Sequence, residues 1–63
     1  MNLKNFLKLI DDKIKNNYYI KVRTWDLYNG FRNWNIDDKE IQKAKVMNLS
    51  YSNNEFWIDA KIL

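Results

Sequence analysis

The stretch Ala44–Ile62, AKVMNLSYSNNEFWIDAKI, decides the fold. With Asn53-Asn54 as a two-residue turn, its flanks form a hairpin in which Tyr51 faces Phe56, Leu49 faces Ile58 and Met47 faces Ala60. Strand side chains alternate, so these pairs share one apolar face, while Ser50/Trp57, Asn48/Asp59 and Val46/Lys61 share the other. Asparagine tolerates the positive φ that such turns demand, which gives the assignment a mechanism.

Working outward, Asp37 and Glu40 form a D-x-x-E capping box, and Ile36 and Ile41 a hydrophobic staple, predicting a short helix that ends at Ala44. Before it, Asn29-Gly30 predicts a type I′ turn that pairs Tyr28 with Phe31, Leu27 with Arg32 and Trp25 with Trp34. Asp26 interrupts the alternation there, which marks a bulge or a looser turn. In the strand that enters this turn, Tyr18, Ile20 and Val22 alternate with Tyr19, Lys21, Arg23 and Trp25. At the N-terminus, Leu3, Phe6, Leu7, Ile10 and Ile14 recur at spacings of three and four. They form one stripe of a helix capped by Asn2 and stopped by Asn16-Asn17. A basic helix lying on a membrane would share this pattern, but Asp11-Asp12 and the shortness of the stripe weigh against it.

Assembled, the chain is α+β. An N-terminal amphipathic helix packs on a small antiparallel sheet of about four strands, arranged as two hairpins with a short helix between them. Residues 1–63 form one domain. The predicted core is Leu3, Phe6, Leu7, Ile10, Ile14, Ile20, Val22, Met47, Leu49, Phe56, Ile58 and Ile62, with Tyr18, Tyr51 and Ile41 at its margins.

Composition bounds what the domain can do. With 63 residues there is room for one modest core, because so short a chain buries only about 60% of the surface it exposes when unfolded. The chain has no cysteine and no histidine, which removes disulfides and the usual zinc ligands. Aromatic residues make up 16% of it, enough to supply packing, and the absence of proline argues against a linker. No run approaches the roughly 18 apolar residues of a membrane span, and the first residues lack the order of a signal peptide, so the expected location is the cytoplasm. Eleven basic and eight acidic residues give a net charge of +3, compatible with an acidic partner surface or nucleic acid and demanding neither.

Chemistry is sparse. Without histidine or cysteine, the nucleophile inventory reduces to Ser50, Ser52, Thr24 and lysines, none in a recognisable motif. Gly30 stands alone, so no glycine-rich loop cradles a phosphate. Asp11-Asp12 and Asp37-Asp38 are adjacent pairs that do not face each other on a helix, and they read as helix-end charge. The expectation is a protein that is not an enzyme, with no catalytic, cofactor or metal site.

The informative surface is the sheet face opposite the first helix. Tyr19, Lys21, Arg23 and Trp25 lie on one strand, Trp57, Asp59 and Lys61 on another, and Trp34 is expected beside Trp25. One reading has the three tryptophans stacked together or covered by the short helix. A second is a protein-binding face, since exposed Trp, Tyr and Arg dominate interface hot spots. This reading takes Tyr19, Lys21, Arg23, Trp25, Trp34, Trp57 and Lys61 as the partner-binding set. A third is single-stranded nucleic acid stacked on the aromatics, with Lys21 and Arg23 on phosphates. A weak homodimer would also bury the patch, and the final strand, if it lies at a sheet edge, offers backbone pairing as a second route.

The succession of an amphipathic helix, a strand ending in Trp25-Asp26, the turn Asn29-Gly30, a short capped helix and the closing VMNLSYSNNEFWIDAKI (46–62) resembles the very short αβ proteins of bacteriophages and other mobile elements, some of which are anti-CRISPR inhibitors. The resemblance is one of architecture over most of the chain and assigns no functional residue. It implies an inhibitor or accessory factor that binds a larger host protein or ribonucleoprotein complex stoichiometrically in the bacterial cytoplasm. Because the chain is net basic, mimicry of DNA is not the implied mechanism.

Overall fold

The computed structural model describes residues 1–63. Asn2 opens helix α1 (Leu3–Leu9), its side-chain oxygen accepting the Asn5 N–H at 2.9 Å. The expected single helix breaks at Ile10, which turns to extended backbone, and restarts as α2 (Asp12–Asn17). Charge explains the break. Asp11 and Asp12 oppose the dipole at the end of α1 but favour it at the start of α2, where Asp11 accepts the Lys13 N–H at 2.7 Å. Ile10 stays buried through the kink, and Leu3 is fully buried.

Four strands follow: β1 (Tyr19–Asp26), β2 (Gly30–Trp34), β3 (Lys45–Ser52) and β4 (Glu55–Lys61), with α3 (Lys39–Gln42) between the two hairpins. Their order across the sheet is β2-β1-β4-β3. The α+β class and the two antiparallel hairpins match the sequence reading, but the hairpins join through a parallel pairing of β1 with β4, from Tyr19↔Glu55 to Thr24↔Ala60. The sheet is therefore mixed. The last strand lies inside it, and the edges are β2 and β3.

The closing hairpin turns on Asn53 (φ 47) and Asn54 (φ 67), both in the left-handed region that a type I′ turn requires. Tyr51↔Phe56, Leu49↔Ile58, Ser50↔Trp57 and Asn48↔Asp59 pair as expected. Beyond Asn48 a bulge at Met47 shifts the register, so that Val46, not Met47, lies opposite Ala60, and Lys45 opposite Lys61. The extra residue turns Met47 out of the core.

The first hairpin departs further. Its closing pair is Asp26↔Gly30, leaving Leu27, Tyr28 and Asn29 as the loop. Asp26 Oδ1 accepts the N–H groups of Tyr28 at 2.7 Å and Asn29 at 2.8 Å, and Oδ2 accepts Asn29 Nδ2 at 3.1 Å. This side-chain turn outcompetes the two-residue turn; Gly30 alone takes positive φ, at 70°. Trp25 consequently pairs with Phe31 instead of Trp34. A shift of three residues is odd, so every side chain of β2 changes face relative to the expected register.

Helix α3 begins one residue later than the capping box suggests. Asn35 forms a turn first, its side chain accepting the Asp37 N–H at 2.9 Å, and Asp38 is the cap, accepting the Glu40 N–H at 2.8 Å. Ile41 moves from the expected margin to the centre, fully buried with Leu3, Ile58 and Val22. Each such side chain contributes about 1.5–3 kcal/mol of burial. Phe56, Ala44, Ala60 and Ile10 complete the buried core, while Phe6, Leu7, Ile14, Ile20 and Trp34 pack around it. Met47, Leu49 and Ile62, expected inside, are exposed. With α1 and α3 both contributing to this core, the helices lie on one face of the sheet and leave the other uncovered.

Candidate binding face

Alternation fixes the uncovered face: Tyr19, Lys21, Arg23 and Trp25 of β1; Glu55, Trp57, Asp59 and Lys61 of β4; Phe31 and Asn33 of β2. Parallel registry sets Arg23 opposite Asp59 and Lys21 opposite Trp57. Arg23 Nε donates to Asp59 Oδ1, forming an ion pair in which both side chains are about one quarter to one third exposed (31% and 26%). The guanidinium carbon also lies 4.3 Å from the Phe31 ring centroid and 5.1 Å from that of Trp57. One cation thus ties together three strands. A part-exposed pair contributes up to about 1 kcal/mol, and each cation–π contact about 0.5–1 kcal/mol, so the gain is chiefly in positioning.

Around this fixed centre the rings are open to solvent. Tyr19, Trp25 and Phe31 are 72%, 58% and 62% exposed, and Met47, turned out by its bulge, is 56% exposed. Trp25, Phe31, Met47 and Lys61 border a shallow depression of about 510 Å³ whose floor includes Arg23 and Asp59. Trp57 is half-buried beside it, and Lys21 is exposed.

Six of the seven residues expected on this face are therefore there. Trp34 is not: the register shift places it on the helix side opposite Val22, where its Nε1 donates to Thr24 Oγ1 at 2.8 Å and the Arg32 guanidinium sits 3.8 Å from its ring. The three tryptophans do not stack together, and α3 packs against the opposite face from Trp25 and Trp57. Phe31 and Met47 were not foreseen. Phe31 follows from reading Asp26 as a turn-forming side chain, a signal present in the sequence; the bulge that exposes Met47 has no local signal in Lys45–Asn48.

The carboxylate pairs are accounted for by capping, since Asp11 and Asp38 each hold a helix start. Asp26 is held below the usual carboxylate range, first by the Asn29 backbone N–H, then by the Asn29 side chain and the Tyr28 N–H. No helix is long and apolar enough to cross a membrane.

These features define a class, a small α+β domain with one bare aromatic and cationic sheet face. No family model matches the chain, and neither the curated proteins nor the solved structures include a match to it.

Proposed function

We propose that the protein is a non-enzymatic binding module whose uncovered sheet face docks onto a larger protein, acting as a stoichiometric inhibitor or accessory factor. The observation that carries this reading is the cluster of exposed Trp25, Phe31 and Met47 around an Arg23 already immobilised by Asp59, Phe31 and Trp57. Large rings on a preordered support lose little entropy on binding, which is the character of an interface hot spot. The resemblance to short phage and mobile-element proteins makes a host protein or ribonucleoprotein complex in the bacterial cytoplasm the proposed target, with anti-CRISPR inhibition as the proposed activity of that kind.

The test is affinity capture from the native host with the wild type, Trp25→Ala, Phe31→Ala and a control, Tyr28→Ala. Tyr28 is 92% exposed in the turn and off the face. The wild type and the control should retain the same target in a fixed molar ratio, and the two face variants should lose it while keeping native circular dichroism. Equal capture by all four would overturn the reading.

Single-stranded nucleic acid is the second reading, favoured by exposed rings beside the free Lys21 and Lys61. Arg23 weighs against it, because Asp59 already occupies that cation. Phosphate contacts would make oligonucleotide binding fall steeply with salt. Unchanged tryptophan fluorescence on adding an oligonucleotide at low salt would remove this reading.

A further inference from the structure

The two edges of the sheet differ in how they are protected. β2 is five residues long and carries Arg32, and shortness and charge are the usual means by which an edge avoids pairing with another chain. β3 has eight residues. Its first part is occupied by the N-terminus: the Met1 carbonyl accepts the Val46 N–H at 3.0 Å, and the Leu3 N–H donates to the Ala44 carbonyl at 2.8 Å. Its second part, Asn48–Ser52, has no strand on its outer side and carries no charge and no proline. The Met47 bulge bounds this segment at one end and the Asn53-Asn54 turn at the other.

We propose that Asn48–Ser52 pairs antiparallel with the same segment of a second copy of the chain, about a two-fold axis at Ser50, joining two four-stranded sheets into one. The segment is complementary to itself. This axis sets Leu49 opposite Tyr51 of the second copy, Ser50 opposite its own equivalent, and Asn48 opposite Ser52. Leu49 and Tyr51 project to the helix-covered side but remain 42% and 60% exposed, and with Leu9 (68%), Phe6 and Ile14 they rim an apolar groove that the helices leave open. Tyr51 is already oriented, its ring centroid 5.0 Å from Phe56 and 5.4 Å from Tyr18. Pairing brings two such rings against two leucines on the apolar side and places small polar residues together on the other.

The ends of the segment match a second copy: the bulge and the turn bound its free length, so a two-fold axis at Ser50 aligns the two five-residue stretches without overhang. The axis sets no like charges face to face within the segment, and the one charged residue lining the adjoining groove is Asp11. Five paired residues and two apolar cross-strand contacts make a small interface, so the dimer is weak and its population depends on concentration. The β3 edge is a different surface from the binding face, and pairing there leaves Trp25, Phe31 and Arg23 free.

Sedimentation across micromolar to millimolar protein tests the proposal with Ser50→Lys, Ser50→Glu, their equimolar mixture and Trp25→Ala. The wild type and Trp25→Ala should shift from monomer to dimer alike. Each Ser50 variant alone should stay monomeric with native circular dichroism, because it sets like charges opposite each other at the axis. The mixture should recover a dimer through the opposite charges. A wild type that stays monomeric throughout overturns the proposal. So does association kept in either Ser50 variant alone; if Trp25→Ala then loses it, the contact lies on the open face.

Discussion

Asp26 shows how one side chain can redirect a hairpin. Its carboxylate accepts two backbone N–H groups and one side-chain amide within its own turn, and these bonds are strongest when it is ionised. They hold its pKa below the ordinary carboxylate range, with the Asn29 backbone N–H the largest cause. The pKa is lower in the folded than in the unfolded chain, so the stabilisation is complete above the unfolded value and is lost as pH falls through the folded one. The expected outcome is that the Asp26 carboxyl, followed by NMR, titrates below the same carboxyl in an unfolded peptide, and that the Tyr28 and Asn29 amide signals move with it. Titration in the ordinary range would mean that the side-chain turn is absent in solution. In Asp26→Ala the acid response of those two amides should disappear.

The two turns behave differently as elements, and the difference marks how far the sequence could be read. Asn53-Asn54 closes its hairpin through backbone preference alone, so the local residues suffice and four of the expected pairs stand. In the first hairpin the Asn29-Gly30 signal competes with the Asp26 side chain, and the side chain decides the register. That one outcome moves Phe31 onto the binding face and Trp34 off it, so the candidate site was legible strand by strand on β1 and β4 but not on β2. The break at Ile10 was hidden because the apolar stripe continues across it, and only the charge of Asp11-Asp12 distinguishes one helix from two. Gly30 gives this a quantitative check. A Cβ placed there meets nothing within 4 Å, so Gly30→Ala has room and its cost comes from φ alone. That cost is about 1–2 kcal/mol, a large share in a molecule with eight buried residues. Gly30→Asn should cost less, because asparagine tolerates the left-handed region. Chemical denaturation of both variants is the measurement, and equal losses would show that the left-handed φ does not set the requirement for glycine.

At the scale of the whole molecule, the parallel pairing of β1 with β4 is the step that local patterns could not reveal. Each hairpin is internally consistent with either neighbour, and the choice depends on α3 carrying the chain across the covered face from the β2 edge to the β3 edge. Ile41 and Ala44 meet Leu3 there in the core. The consequence is that the most protected backbone belongs to the two strands farthest apart in sequence. β1 and β4 contribute Val22, Ile58, Phe56 and Ala60 to the core and have strands on both sides, whereas β2 and β3 are edges. Neither hairpin can bury its apolar face without the other, so the domain should unfold as one unit. Amide hydrogen exchange should therefore be slowest at Val22 and Ile58 and their neighbours in β1 and β4. It should be faster along β2 and in Asn48–Ser52 at low protein concentration, where the β3 edge is unpaired. Exchange that is slowest within one hairpin, with β1 and β4 opening independently, would show that the parallel seam is the weakest part of the sheet and that the two hairpins are separate folding units.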